Sequence, residues 1–122
     1  MKREIRTDRS PDPIGPYSQG LVVGGRIYVS GQGPLDPATG KIPGTIEEQT
    51  RQVLINIRNI LEAGGATMEQ VVKTTVHLAD LKDFQAFNDV YKEFFNPPYP
   101  VRTTVGSALL GILVEIDVIA EL

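Results

Sequence analysis

Two hydrophobic rhythms run along this chain, one of period 2 and one near 3.6, and the switches between them divide it into strands and helices. A short edge-type strand is expected over residues 4–7. In the following RSPDPIGPYSQG, Pro11, Pro13 and Pro16 with Gly15 and Gly20 exclude helix and ladder alike, so a rigid loop is predicted. Long loops in compact domains tend to be functional, which makes Tyr17, Ser18 and Gln19 candidates for lining a site; the plainer reading has Tyr17 covering the core edge. LVV, Gly24-Gly25 and RIYVSGQ then form a hairpin signal, the two glycines accepting the positive φ of a type I′ turn. Along its second strand Ile27, Val29 and Gly31 alternate with Tyr28, Ser30 and Gln32.

The period changes at Thr45, which with Glu48 makes a capping box. Ile46, Thr50, Val53, Leu54, Ile57, Ile60 and Leu61 follow the helical rhythm, Glu47, Arg51, Gln52, Arg58 and Asn59 face away, and Gly64-Gly65 stops the helix. Period 2 returns over residues 71–79, with Val72, Thr74, Val76 and Leu78 against Lys73, Thr75 and His77. Asp80 can cap a second helix whose apolar stripe is Phe84, Phe87, Val90, Tyr91, Phe94 and Phe95, ending before Asn96-Pro97-Pro98. Asn88 sits at the edge of that stripe and needs partners, by default a backbone segment it tethers.

The last stretch, YPVRTTVGSALLGILVEIDVIA, reads as two strands, each with an apolar and a polar face. If they pair as a hairpin turning at Leu110-Gly111, opposed positions sum to an odd number. Arg102 then shares a face with Glu115 and Asp117, and Glu115 opposes Gly106, roughly 13 Å of strand rise from Arg102. A small molecule fits between a cation and a carboxylate so spaced. The element order predicts an α+β fold, two amphipathic helices covering one face of a mixed sheet. The other face, bearing Arg102, Glu115, Asp117, Lys73 and Ser30, is too polar for a monomer core, and a cyclic homo-oligomer would enclose it.

Composition narrows the chemistry. With 41% hydrophobic and 22% charged residues, residues 1–122 read as one globular domain. A net charge of -3, with cations scattered among acids, argues against nucleic acid as a partner. There is no Cys and only His77, which removes thiolate chemistry and the common zinc sites. A lone His on a polar strand face reads as a hydrogen-bonded surface or interface residue. Ser30 has no histidine near it in sequence, so it reads as a hydrogen-bonding residue and not a nucleophile. SGQG fits neither the dinucleotide nor the Walker spacing; Gly31 and Gly33 instead mark a bulge or a close approach. No apolar h-region or membrane-length run is present, so the expected address is the cytoplasm, with no membrane partner.

Six motifs, IGPYSQG, VSGQGPLDP.TG, VVKTTVHLADL, FNDVYKEFF, P.RTTV and LVEIDVIA, together resemble the RidA family (YjgF-like reactive-intermediate imine deaminases) over nearly the whole chain. The resemblance implies a chorismate-mutase-like α+β fold, a homotrimer with the open sheet faces inside, and ligand clefts between subunits. It implies hydrolysis of 2-imino acids and their enamine tautomers (2-iminobutanoate and 2-iminopropanoate type) to 2-oxo acids and ammonia, without metal or organic cofactor. Position by position it implies that Arg102 binds the carboxylate and Glu115 handles the water, with Tyr17, Ser30, Gly31, Asn88 and Thr104 lining the pocket. The chain departs from the family pattern at Thr104, where many members carry Cys, and at ALLGI, shorter than the usual Leu-Pro-Lys-Gly type of turn. A planar carboxylate suits a bidentate guanidinium, and a carboxylate such as Glu115 can act as general base and then general acid. The rival reading is a non-catalytic, small-carboxylate-binding regulatory trimer.

Overall fold

The computed structural model describes residues 1–122. Its main elements are β1 (Lys2–Ile5), β2 (Gly20–Val23), β3 (Arg26–Gln32), α1 (Ile46–Ala63), β4 (Val71–Leu78), α2 (Phe84–Tyr91), β5 (Val101–Gly106) and β6 (Val114–Glu121). The strands make one mixed sheet in the order β1-β2-β3-β6-β4-β5, in which β4 and β5 are parallel and all other neighbours antiparallel. α1 lies against β3 and β6 with α2 beside it, so both helices cover one face, as the periodicity predicts.

The predicted elements form with shifts that have local causes. β1 starts at Lys2 and ends at Ile5, before the residues expected, because its register on β2 ends where Ile5 meets Gly20. In the β2–β3 turn only Gly24 has positive φ, 59°, the pattern of a type II′ turn and not type I′. Val72, expected on the apolar face, is 42% exposed, because a register irregularity between Val71 and Lys73 puts Val71 in the core instead. Asp80 caps a single 3₁₀ turn, Leu81–Asp83, by accepting from the Lys82 N–H at 2.9 Å, and α2 begins only after it.

α1 keeps its predicted start, with the Thr45 hydroxyl accepting the Glu48 N–H at 3.1 Å. Val53, Leu54, Ile57, Ile60 and Leu61 are fully buried against the sheet. The polar residues on its flank hold loops. Asn56 donates to the carbonyls of Gly33 (3.0 Å) and Leu35 (2.9 Å), and Gln49 binds the Pro43 carbonyl and the Leu113 N–H. Asn59, expected to face away, is only 7% exposed, because its amide donates to the Arg9 carbonyl at the start of the proline-rich loop. Loop carbonyls lying over a helix need donors, and the helix supplies them.

The largest departure concerns the last two strands. β5 and β6 are not a hairpin; β4 lies between them. Residues 107–113 pass over the end of β4, anchored by the Ser107 N–H on the Leu78 carbonyl (2.9 Å) and the Ala79 N–H on the Leu113 carbonyl (3.0 Å). Face parity is therefore set by the two registers on β4 and not by loop length. Arg102 shares a row with Thr74 and Val118, whereas Glu115 shares one with His77 and Val105. Since Thr74 is buried under the helices and His77 is on the other side, Arg102 and Glu115 occupy opposite faces of the sheet. The expected polar open face stands, with Lys73, His77, Glu115, Asp117 and Ser30, but without Arg102.

Candidate functional site

On the helix side, at the sheet edge, Arg102 of β5 projects under α2. Its guanidinium carbon lies 4.8 Å from the Tyr91 ring centroid, 5.4 Å from Phe87 and 5.6 Å from Phe84. These three rings recur at spacings of three and four, the spacing that stacks side chains on one helix face. Phe84 is 42% exposed, so it flanks the guanidinium at the surface and does not belong to the core stripe. Each such cation–π contact stabilises by about 0.5–2 kcal/mol, and together they hold the guanidinium without neutralising it. None of the six ion pairs of the protein includes Arg102.

Asn88 lines the same cleft of about 380 Å³ with Tyr91, Tyr99 and Arg102. Its Oδ1 is buried without a partner, as is the Thr104 hydroxyl two residues beyond Arg102 on the same face. Asn88 thus does not spend its carbonyl on a backbone tether. An unpaired guanidinium beside unpartnered buried acceptors can hold a small polar anion that also carries hydrogen-bond donors.

Tyr91 is the residue here that sequence reasoning assigned only to the core. Its hydroxyl lies 2.9 Å from that of Thr74 on β4, which fixes the ring against Arg102. Burial pushes its phenol above the ordinary value of 10.0, opposed by the Thr74 hydroxyl and by the charge of Arg102. A raised folded-state value means that Tyr91's contribution to stability is complete below about pH 10 and is lost as pH rises through that raised value. Chemical denaturation between pH 9 and 12 is expected to show a steeper alkaline loss in the parent protein than in Tyr91→Phe.

On the open face the register between β3 and β6 shifts between Val29 and Gln32, an irregularity that holds Ser30 and Gly31. A Cβ on Gly31 would stand 2.8 Å from Glu115 Oε2 and 3.1 Å from Glu115 Cδ. The missing side chain is thus the space that the Glu115 carboxylate fills, the close approach expected of this glycine. Gly31→Ala is expected to displace the carboxylate. A shift on the order of 1 Å costs about 100-fold in activity, while the overpacking costs about 1–3 kcal/mol of stability. Rate assays and denaturant titration on the same preparation check both halves.

Glu115 opens into a cleft of about 430 Å³ bounded by the proline-rich loop and by residues 108–112, with Tyr17 and Asp12 on its wall. Tyr17 accepts the Ile14 N–H at 3.2 Å through its hydroxyl, which curls the loop over the cleft. Ser30 acts by hydrogen bonding, as expected: its hydroxyl donates to the Ser18 carbonyl and its N–H to the Gln19 carbonyl. Gln19 is a tether, its amide holding Thr7 and Pro11. His77 Nδ1 lies 2.8 Å from the Ser107 hydroxyl. Burial raises the Asp117 carboxyl above its ordinary value, opposed by His77, Thr75 and Lys73. No three His, Cys, Asp or Glu side chains converge as a metal site would require.

The predicted residues thus fall into two groups. Arg102, Asn88 and Thr104 lie on the helix side, while Glu115, Gly31, Tyr17 and Ser30 lie on the open side.

Comparison with known proteins places this geometry among relatives. The family model described as Endoribonuclease L-PSP matches residues 7–122. RutC family protein SSO3206 of Saccharolobus solfataricus is 50% identical over 124 residues, covering 99% of this chain and 98% of that protein. A 2-iminobutanoate/2-iminopropanoate deaminase of Capra hircus is 47% identical, covering 98% of this chain and 90% of that enzyme. The crystal structure of RidA from the Antarctic bacterium Psychrobacter sp. PAMC 21119 superposes with a TM-score of 0.94 at 39% identity, covering 98% of this chain and 99% of that one.

Proposed function

The chain belongs to the endoribonuclease L-PSP family, that of RidA and YjgF, and from that premise we propose that it hydrolyses reactive 2-imino acids to 2-oxo acids and ammonia. The observation that carries the reading is the unpaired guanidinium of Arg102, held among three rings beside unpartnered buried acceptors. A 2-imino acid offers a planar carboxylate for that fork and an imine N–H for an acceptor.

Glu115 takes a proton from a water, whose oxygen forms a bond to the imine carbon while the C=N electron pair moves to a protonated nitrogen. The acid form of Glu115 returns its proton to the adduct's nitrogen, and ammonia leaves as the hydroxyl oxygen closes to a carbonyl and gives up its own proton, which replaces the one the protonated imine nitrogen brought in. Water and imine become oxo acid and ammonia, with no cofactor in the balance.

Arg102 and Glu115 on opposite faces of one protomer cannot bracket one small molecule. A second copy must bring its Glu115 side to the first copy's Arg102 edge. We propose a homotrimer of single-domain subunits with open faces inside and clefts between subunits, as the family resemblance implies, at a cytoplasmic address; the need for a second copy supports an oligomer of that kind. No helix is long and apolar enough to cross a membrane.

The test is the decay of 2-iminobutanoate with and without protein, read as 2-oxobutanoate or ammonia. Acceleration over buffer is expected, and its absence overturns the proposal. Sedimentation at the 13.3 kDa of a single chain would overturn the trimer.

One observation favours a second reading. The Arg102 pocket is built within one protomer and apart from Glu115, as a regulatory trimer that binds small carboxylates without chemistry would need. The family's ribonuclease description does not suit a chain of charge -3 and pI near 5.1. RNA binding with a steep salt dependence would reverse that judgement.

A further inference from the structure

One buried residue of α1 is bonded on every side and has no part in the catalytic steps proposed above. Asn56 is 0% exposed. Its amide donates both hydrogens, to the Gly33 carbonyl at 3.0 Å and the Leu35 carbonyl at 2.9 Å. Its Oδ1 accepts from Gln52 Nε2 at 3.0 Å, and its main-chain carbonyl accepts the Ser10 hydroxyl at 2.7 Å. Asparagine is a poor residue for the middle of a helix, and a buried amide is costly unless it is paired, so neither α1 nor its packing calls for one here. The segments it holds do. Gly33 and Leu35 line the Glu115 cleft, and Ser10 precedes the proline-rich loop that covers it. The third wall rests on the same tether, because Ile112 of the crossover packs on Gly33, its Cδ1 3.3 Å from where a Cβ would stand. Gly33 also follows Gly31 by two residues, so the tether fixes the end of the β3 irregularity whose missing Cβ the Glu115 carboxylate fills.

We propose that Asn56 is a positioning residue for the Glu115 carboxylate, acting through the Gly33 and Leu35 carbonyls on the stretch of β3 against which that carboxylate packs. Asn56 makes no hydrogen bond to Glu115 itself; its effect is carried by the backbone between Gly31 and Gly33. Without its two amide hydrogens those carbonyls lose the donors that α1 gives them, Gly31 shifts relative to β6, and the space that fixes Glu115 shifts with it. Arg102 lies on the opposite face, held by rings of α2, and none of its contacts runs through Asn56. The two ends of the ligand are therefore separable: loss of Asn56 should lower the rate and spare the grip on the carboxylate. The kinetic half of the inference rests on the deaminase reading, whereas the placement of Glu115 does not.

Three variants of the full chain test it. Asn56→Leu keeps the branching and favours the helix while removing both donors; Gln52→Leu, at a half-buried position, frees one bond that orients the amide; Ile57→Ala loosens the same helix against the sheet without removing a loop tether. Asn56→Leu is expected to lower kcat for 2-iminobutanoate by about 10- to 100-fold, since a misplacement on the order of 1 Å costs up to about 100-fold, with calorimetric affinity for 2-oxobutanoate within about twofold of the parent. Gln52→Leu should lower kcat by about two- to tenfold, the worth of one neutral hydrogen bond. Ile57→Ala should unfold at lower temperature and, well below it, keep the parent kcat. Independently of turnover, the carboxyl carbon NMR signal of Glu115 should move in Asn56→Leu and Gln52→Leu and stay in place in Ile57→Ala. An unchanged kcat in Asn56→Leu overturns the role. So does an equal loss in Ile57→Ala, which would mean general loosening, or a fall in 2-oxobutanoate affinity that matches the fall in kcat. Should Asn56→Leu not fold, Gln52→Leu decides, and a parent-like kcat with an unmoved Glu115 signal overturns the role. If even the parent hydrolyses no imine, the deaminase reading fails and the NMR arm alone decides: an unmoved Glu115 signal overturns the positioning role and a moved one upholds it.

Discussion

Arg102→Ala is expected to lower kcat/KM for a 2-imino acid by about 100- to 1,000-fold, the equivalent of roughly 3–4 kcal/mol, while the protein stays folded. The size follows from what is lost. A guanidinium held by Tyr91, Phe87 and Phe84 arrives at the ligand already oriented and with its charge unspent. Alanine removes the oriented guanidinium and leaves Lys92, already 3.9 Å from Asp89, as the only cation lining the cleft. Arg102→Lys should recover little of the loss, because an ammonium is a point charge without the planar fork and packs poorly over rings. Stability is expected to fall by only about 0.5–2 kcal/mol, since the side chain is part-exposed on the edge strand β5. Calorimetric binding of 2-oxobutanoate and thermal unfolding of the same samples check the two halves. A variant that binds the oxo acid as well as the parent would remove Arg102 from the site.

Glu115→Gln is expected to lower kcat by about 100- to 10,000-fold, the usual worth of general acid–base help, with oxo-acid affinity nearly unchanged. The amide matches the carboxylate in shape and fits the space beside Gly31, so packing is preserved while the proton acceptor is removed. Splitting kcat from binding is what discriminates the readings: a regulatory binder has no rate to lose, whereas a deaminase loses its rate and keeps its ligand. A variant with full turnover would show that the water is handled by another group.

The parts of this protein that depend on near neighbours in the chain could be read from residues alone. The Thr45 start of α1, the apolar stripe from Val53 to Leu61, and the β2–β3 hairpin at Gly24-Gly25 each follow from side chains within a few positions of one another. So does the alternation on β6, and with it the recognition that Arg102 and Glu115 are costly residues to place on otherwise apolar strands. Gly31 was legible as a close approach. What fills the space, the carboxylate of Glu115 eighty-four positions later, was not.

Asn59 shows the same limit in a helix. Its position on the α1 wheel points away from the sheet, and only the path of the proline-rich loop over that helix buries it. Tyr91 read as core because spacing reports which helix face a residue occupies, not whether a cation comes to lie beneath it.

By itself, then, the sequence determined the elements, their amphipathic faces and the candidate residues, because these are settled by local periodicity and side-chain character. Only the tertiary structure decided how the faces are shared. Inserting β4 between β5 and β6 replaces a turn-set register with two registers on a third strand, one parallel and one antiparallel. One such change inverts the parity, since neighbouring residues on a strand point to opposite faces. Arg102 thereby leaves the face of Glu115 for the helix side, and candidate residues that looked like one cluster become two groups on opposite faces of one sheet.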